Sequence, residues 1–155
     1  MNHPKKLTCL VLSLLLILSM SVTAFAAEGS STGQTGTITV ENPVAGQTYT
    51  AYKIFDVTYN GSAYAYSIRG DAPWYPDVAA YSNTENSGLV LTKAVDESAG
   101  AVYVVTIDNS KFSAAAFAAA LKSALEGKTG IPLTGEKPTA ENLPLGYYFV
   151  TSTTG

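Results

Sequence analysis

Gly36–Val57 reads GTITVENPVAGQTYTAYKIFDV. Thr37, Thr39 and Glu41 alternate with Ile38 and Val40, which is the period of a half-buried strand. Asn42-Pro43 and Gly46 supply a turn, because proline presets φ and glycine accepts positive φ. From Thr48 to Thr58 the chain is rich in β-branched and aromatic residues, which suit a pleated surface. The reading is strand, turn, strand.

Outward from this block the same grammar recurs. Asn60-Gly61 separates two strand-like runs, the strongest short signal for a hairpin. After it Tyr64, Tyr66 and Ile68 share one face and Ala63, Ala65 and Ser67 the other. Gly70–Pro76, GDAPWYP, breaks the sheet. Gly88–Lys93 and Ala101–Ile107 are two further strands, with Ala94–Gly100 as the turn between them. The period then changes. Lys111–Glu126, KFSAAAFAAALKSALE, is alanine-rich and favours helix. Ser110 or Ser113 caps its start, Gly127 follows its end, and Phe117, Leu121, Ala124 and Leu125 form one apolar stripe. This predicts a helix packed on the sheet; a surface helix that docks a partner is the other reading. Glu141–Gly155, ENLPLGYYFVTSTTG, closes the chain with a turn at Pro144 and Gly146 and a strand over Tyr147–Thr153.

The N-terminus sets the compartment. Lys5 and Lys6 form a basic region, Leu10–Met20 an apolar core, and Ala24-Phe25-Ala26 a small-x-small cleavage site. A membrane anchor is the competing reading, but the apolar core is shorter than the roughly 20 residues that span a bilayer. The expected divisions are a signal peptide over 1–26, a flexible polar linker over 27–36 and one domain over 37–155.

Cleavage removes Cys9 and His3, so the mature chain has neither cysteine nor histidine. Disulfides are excluded, as is any Ser–His or Cys–His nucleophile, since no imidazole remains to act as base. No metal site and no cofactor are expected. Loss of Lys5 and Lys6 takes the formal charge from −3 to −5 with no basic run, which argues against nucleic acid or an anionic membrane as partner. Carboxylate pairs such as Asp96 and Glu97 fall in a predicted turn rather than a cleft, so glycosidase chemistry has no support. No enzyme activity and no catalytic residue are expected.

Two blocks together, TYTAYKIFDV and LPLGYYFVTSTT, resemble the N-terminal domain of Gram-positive sortase-assembled pilins, the isopeptide-forming, CnaB-like fimbrial subunits. The resemblance implies an immunoglobulin-like β-sandwich, mainly β, with the helix at about 111–126 as its one insertion. It implies a structural module of a cell-surface pilus at the cell wall of a Gram-positive bacterium. Its partners would be other pilin subunits and, transiently, a sortase. It also implies that the natural chain continues past Gly155 and that the domain is incomplete at its C-terminus. The alternative from a different class is an adhesive module that recognises host glycan or matrix protein.

Pilins of this class carry an internal Lys–Asn bond assisted by a buried acid. Burial disfavours charge, which keeps the amine nucleophilic and the acid protonated. At the positions that match the family pattern this chain has Asn42 in place of the lysine and Ser152 in place of the acid. Lys53 is the remaining isopeptide candidate, on a strand face with Tyr49, Ala51, Phe55 and Val57; the alternative is a lysine snorkelling at the sheet edge. Trp74-Tyr75-Pro76-Asp77 resembles the pilin motif, but Asp77 stands where the linking lysine belongs. An aromatic plug is the competing reading. Ile131–Gly135, IPLTG, resembles a sortase signal, yet Glu136-Lys137-Pro138 follows it instead of an apolar segment, and a loop explains it equally well. Tyr64, Tyr66, Trp74 and Tyr75 form the candidate binding surface, because tyrosine and tryptophan bring rigid amphipathic area to recognition.

Overall fold

The computed structural model describes residues 34–60, 63–97 and 100–153. The expected signal peptide, most of the linker, Gly61 of the hairpin and the last two residues lie outside that range. The described chain is mainly β, with antiparallel sheets of two and six strands, both open, and two short helices. In order, the elements are β1 (Thr35–Thr39), β2 (Tyr49–Asn60), β3 (Ala63–Arg69), α1 (Tyr75–Ser82), β4 (Leu89–Glu97), β5 (Gly100–Ile107), α2 (Ala114–Ser123), β6 (Ile131–Leu133), β7 (Thr139–Pro144) and β8 (Gly146–Ser152).

The long strand β2 organises the larger sheet. Its Tyr49–Ala51 end pairs with β6 and its Asp56–Asn60 end with β3, while β8 pairs along Tyr49–Asp56. Tyr49 and Asp56 each have a partner on both sides, so β3 and β6 share one edge of β2 and β8 takes the other. Beyond β3 the sheet continues through β5 to β4. The β2–β3 hairpin predicted from Asn60-Gly61 is present, with Asn60 opposite Ala63. The predicted pair over Gly88–Lys93 and Ala101–Ile107 is present too, and it runs on to Glu97 and Gly100. The turn after β1 does not fold it back onto β2. It carries the chain from one sheet to the other, and β1 pairs with β7, Ile38 opposite Ala140.

Two apolar clusters hold these layers. Ile38, Val40, Leu143 and Ala140 of the small sheet pack on Tyr49, Ala51 and Tyr148 of the large one. On the opposite face Ile54, Phe55, Ile68, Leu89 and Val105 pack beneath the helices, against Val78 of α1 and Phe117 and Leu121 of α2. Phe117 is 1% exposed and lies parallel to Phe55, with centroids 6.0 Å apart. It also meets Tyr81 at 4.9 Å and Phe112 at 5.6 Å, contacts that add to the area term of burial. The apolar stripe of α2 therefore faces the sheet.

One inserted helix was expected, and there are two. Pro76 occupies the first turn of α1, where a missing N–H costs nothing. The residues that interrupt the sheet thus also start a helix. α2 is shorter than 111–126. The Asp108 carbonyl accepts from Lys111 and Phe112 in a tight turn, and Ser113, in extended conformation, caps the helix by accepting from the Ala116 amide at 3.2 Å. Gly88, at φ +66°, precedes β4 where a Cβ would run into the Lys111–Phe112 backbone, so glycine serves both backbone and packing there. IPLTG is loop only at its end. Ile131–Leu133 is strand β6, and Thr134 and Thr139 exchange backbone hydrogen bonds of 3.1 and 2.9 Å across the turn that holds Gly135.

Candidate functional site

Lys53 sits at a β-bulge. Lys53 faces Tyr148 and Phe55 faces Tyr147, so β2 spends one more residue than β8. The extra residue changes which side chains share a face. Tyr49 and Ala51 before the bulge belong to the small-sheet cluster, while Phe55 after it belongs to the helix-side cluster. Lys53 therefore does not share a face with Phe55, as simple alternation predicted. Its ammonium lies 2.5 Å from Asp56 Oδ1, with its side chain 30% exposed. Opposite, Gly146 leaves room for the lysine stem. A Cβ there would strike the Phe55 carbonyl oxygen and crowd Lys53 Cε.

The acid nearest Lys53 is thus Asp56 of its own strand, whose side chain is 53% exposed and so not the buried, protonated acid that the crosslinking chemistry requires. Asn42 is exposed in the turn after β1, and Ser152 is exposed at the end of β8. An ion pair this open to water contributes at most about 1 kcal/mol. The geometry matches a snorkelling lysine with a surface partner. We expect an intact mass that begins at Ala27 and carries no deficit of about 17 Da, the ammonia lost when an amine displaces an amide nitrogen. A retained Lys5-Lys6 segment would show an uncleaved anchor. A deficit with a tryptic branch at Lys53 would place a crosslink there.

Beside Lys53, Tyr148 donates its hydroxyl to the Pro144 carbonyl at 2.7 Å. Burial, and then the charge of Asp56, push its phenol from 10.0 up to about 12. Burial likewise raises Tyr147 and Tyr66. In the unfolded chain the Tyr148 phenol ionises near 10, while in the folded chain it stays protonated to about 12. Its contribution is therefore whole below pH ~10 and lost as pH rises from ~10 to ~12. Tyr148→Phe should cost about 1 kcal/mol at pH 8 through the missing hydrogen bond. The variant should also lose stability less steeply across that alkaline window. Urea titrations at four pH values would check this, and parallel slopes for the two proteins would contradict it.

The aromatic residues do not form one surface. Trp74 is 4% exposed, edge-on to Tyr52 at 5.7 Å. Lys128, from the segment after α2, places its ammonium 4.8 Å above the Trp74 ring and 2.7 Å from Asp77 Oδ2, and it donates to the Pro73 carbonyl. That carboxylate oxygen is buried, so Lys128 serves as its counter-ion. Trp74, Asp77 and Lys128 thus pack together, while Pro76 between them is exposed. Tyr75 stacks on Tyr103 at 4.9 Å, in a shallow groove with Ser82, Asn83 and Leu91. A hydrogen bond to the Tyr103 phenol raises the Tyr75 pKa. Tyr64 is 67% exposed and edge-on to Tyr66 at 5.7 Å. Among the described residues no ring contact links Tyr64 or Tyr66 to Trp74 or Tyr75.

Among the described residues no group of three or more His, Cys, Asp or Glu side chains could hold a metal ion. Nor is any described helix long and apolar enough to cross a membrane. Comparison with protein-family models, with curated proteins and with solved structures gives no match.

Proposed function

We propose that this chain is a structural module of a cell-surface pilus subunit, exported and then polymerised or anchored by a sortase. In this reading the two sheets form an immunoglobulin-like, CnaB-like β-sandwich with helical insertions, and the protein is a sortase substrate rather than an enzyme. One observation carries it. The two sequence blocks that resemble the pilin domain lie side by side as β2 and β8, in register from Tyr49 opposite Ser152 to Asp56 opposite Gly146. Adjacent pairing of the two blocks is what a shared sheet in the pilin domain requires of them.

A second reading has its own support. Exposed Tyr64 and the Tyr75–Tyr103 groove offer aromatic surface beside uncharged polar groups, as an adhesive module for glycan or matrix protein would. Deleting the gene and imaging the cell surface separates the two. A structural subunit takes the fibres with it. An adhesive module leaves fibres in place and abolishes attachment to host matrix, and that outcome would overturn the structural reading.

A further inference from the structure

α1 and the start of β4 border a groove of about 300 Å³. α1 and its C-cap contribute Tyr75, Ala79, Ser82 and Asn83, whose spacing of three and four puts them on one helix face. The sheet contributes Leu91 and Tyr103. Tyr75 and Tyr103 stack with centroids 4.9 Å apart, and their hydroxyls share a hydrogen bond. Ser87, which is buried, ties the two walls together. Its hydroxyl donates to the Ser82 carbonyl at the end of α1 at 3.0 Å and accepts from the Leu89 amide at the start of β4 at 3.2 Å. The width of the groove is therefore set before anything enters it, and binding loses little to ordering. No lining residue carries a charge. Asp77, the one acid of α1, is engaged by Lys128.

This lining decides which ligands fit. A charged ligand would find no counter-charge in it. A lipid chain would strip water from the Asn83 amide and the phenols and give them no partner in return. An added peptide strand would need the free backbone groups of β4, and the Leu89 amide is already held by Ser87. A pyranose ring meets every condition. Its C–H face is apolar and packs on the negative face of an aromatic ring, and its hydroxyl edge both donates and accepts. We infer that this groove is a binding site for an uncharged hexose unit of a glycan. Tyr75 and Tyr103 form its aromatic wall, which brings rigid area at little cost in entropy. Asn83, exposed at the rim, is the polar contact that fixes the orientation of the ring. The inference rests on the adhesive reading, to which it gives a site and a ligand class.

Titration of the exported chain with lactose, cellobiose and di-N-acetylchitobiose, followed by amide and aromatic NMR shifts, tests the site. The expected result is millimolar binding of at least one of them, with shifts concentrated at Ala79, Asn83, Leu91 and the rings of Tyr75 and Tyr103. Asn83→Ala should weaken binding about fivefold through the lost hydrogen bond. Tyr75→Ala should abolish it, with unchanged shifts in β2 and β8 to show that the variant folds. Sorbitol, an open-chain polyol without a ring face, should leave the groove unshifted. No shift with any of the three saccharides up to about 50 mM would overturn the inference. So would equal shifts with sorbitol, which would mark solvation only, or shifts centred on Tyr64. If Tyr75→Ala does not fold, the shift map of the unaltered chain and Asn83→Ala decide. Attachment to host matrix that survives with the groove unshifted would overturn this inference alone and leave the adhesive reading standing. Saccharide shifts in the groove of a chain that does not attach to matrix would support the site and count against the adhesive reading.

Discussion

Replacing Phe117 by alanine is expected to lower the unfolding free energy by about 3–5 kcal/mol. Phe117 is where α2 is fixed to the sheet. Its ring lies against Phe55 of β2, Tyr147 of β8, Tyr81 of α1 and Phe112 ahead of α2. Truncation leaves a cavity walled by rings that cannot close without moving both helices. The variant loses the transfer energy of the side chain together with those wall contacts. Urea unfolding followed by tyrosine fluorescence would measure the change. A loss under about 1 kcal/mol would show that α2 is not packed through Phe117.

Trp74→Ala is expected to cost a similar amount, about 3–5 kcal/mol, because the indole is buried and edge-on to Tyr52. The same change exposes Lys128, whose ammonium rests on the ring while paired with Asp77. Asp77→Asn should therefore be destabilising as well, and combining it with Trp74→Ala should cost less than the sum of the two, since both act through Lys128. Tyr64→Ala is the control. Its side chain is mostly exposed, and the change should stay within about 0.5 kcal/mol. If Trp74→Ala proved as mild as Tyr64→Ala, Trp74 would be a surface residue and the adhesive reading would gain.

Where periodicity and turn chemistry are local, the sequence was legible. Asn60-Gly61 located the β2–β3 hairpin, and the alanine-rich run located α2. What stayed hidden depends on distant partners. β6 is short and contains Pro132, so it reads as a loop, and β7 ends at Pro144, where the sequence shows only a turn. They exist as strands because Leu133 faces Tyr49 and Ala140 faces Ile38. α1 was hidden because Gly70–Pro76 reads as a breaker, and only Val78 of the helix is buried, too little for a visible stripe. At the candidate site, alternation predicted one face from Tyr49 through Val57. The bulge between Lys53 and Phe55 is set by pairing with β8 and leaves no mark in β2 itself. Burial of Trp74 was foreseeable from its aromatic character. Lys128 was not, since no local signal ties it to a carboxylate far upstream.

The proposed role is that of a covalently assembled structural unit of a surface fibre. Its most direct test is immunoblotting of muramidase-released cell wall from the producing bacterium, boiled in detergent, with an antibody against residues 37–153. The expected result is a ladder of high-mass bands that collapses to a single monomeric band when the sortase gene is deleted. A single band near the monomer mass in both strains would contradict it.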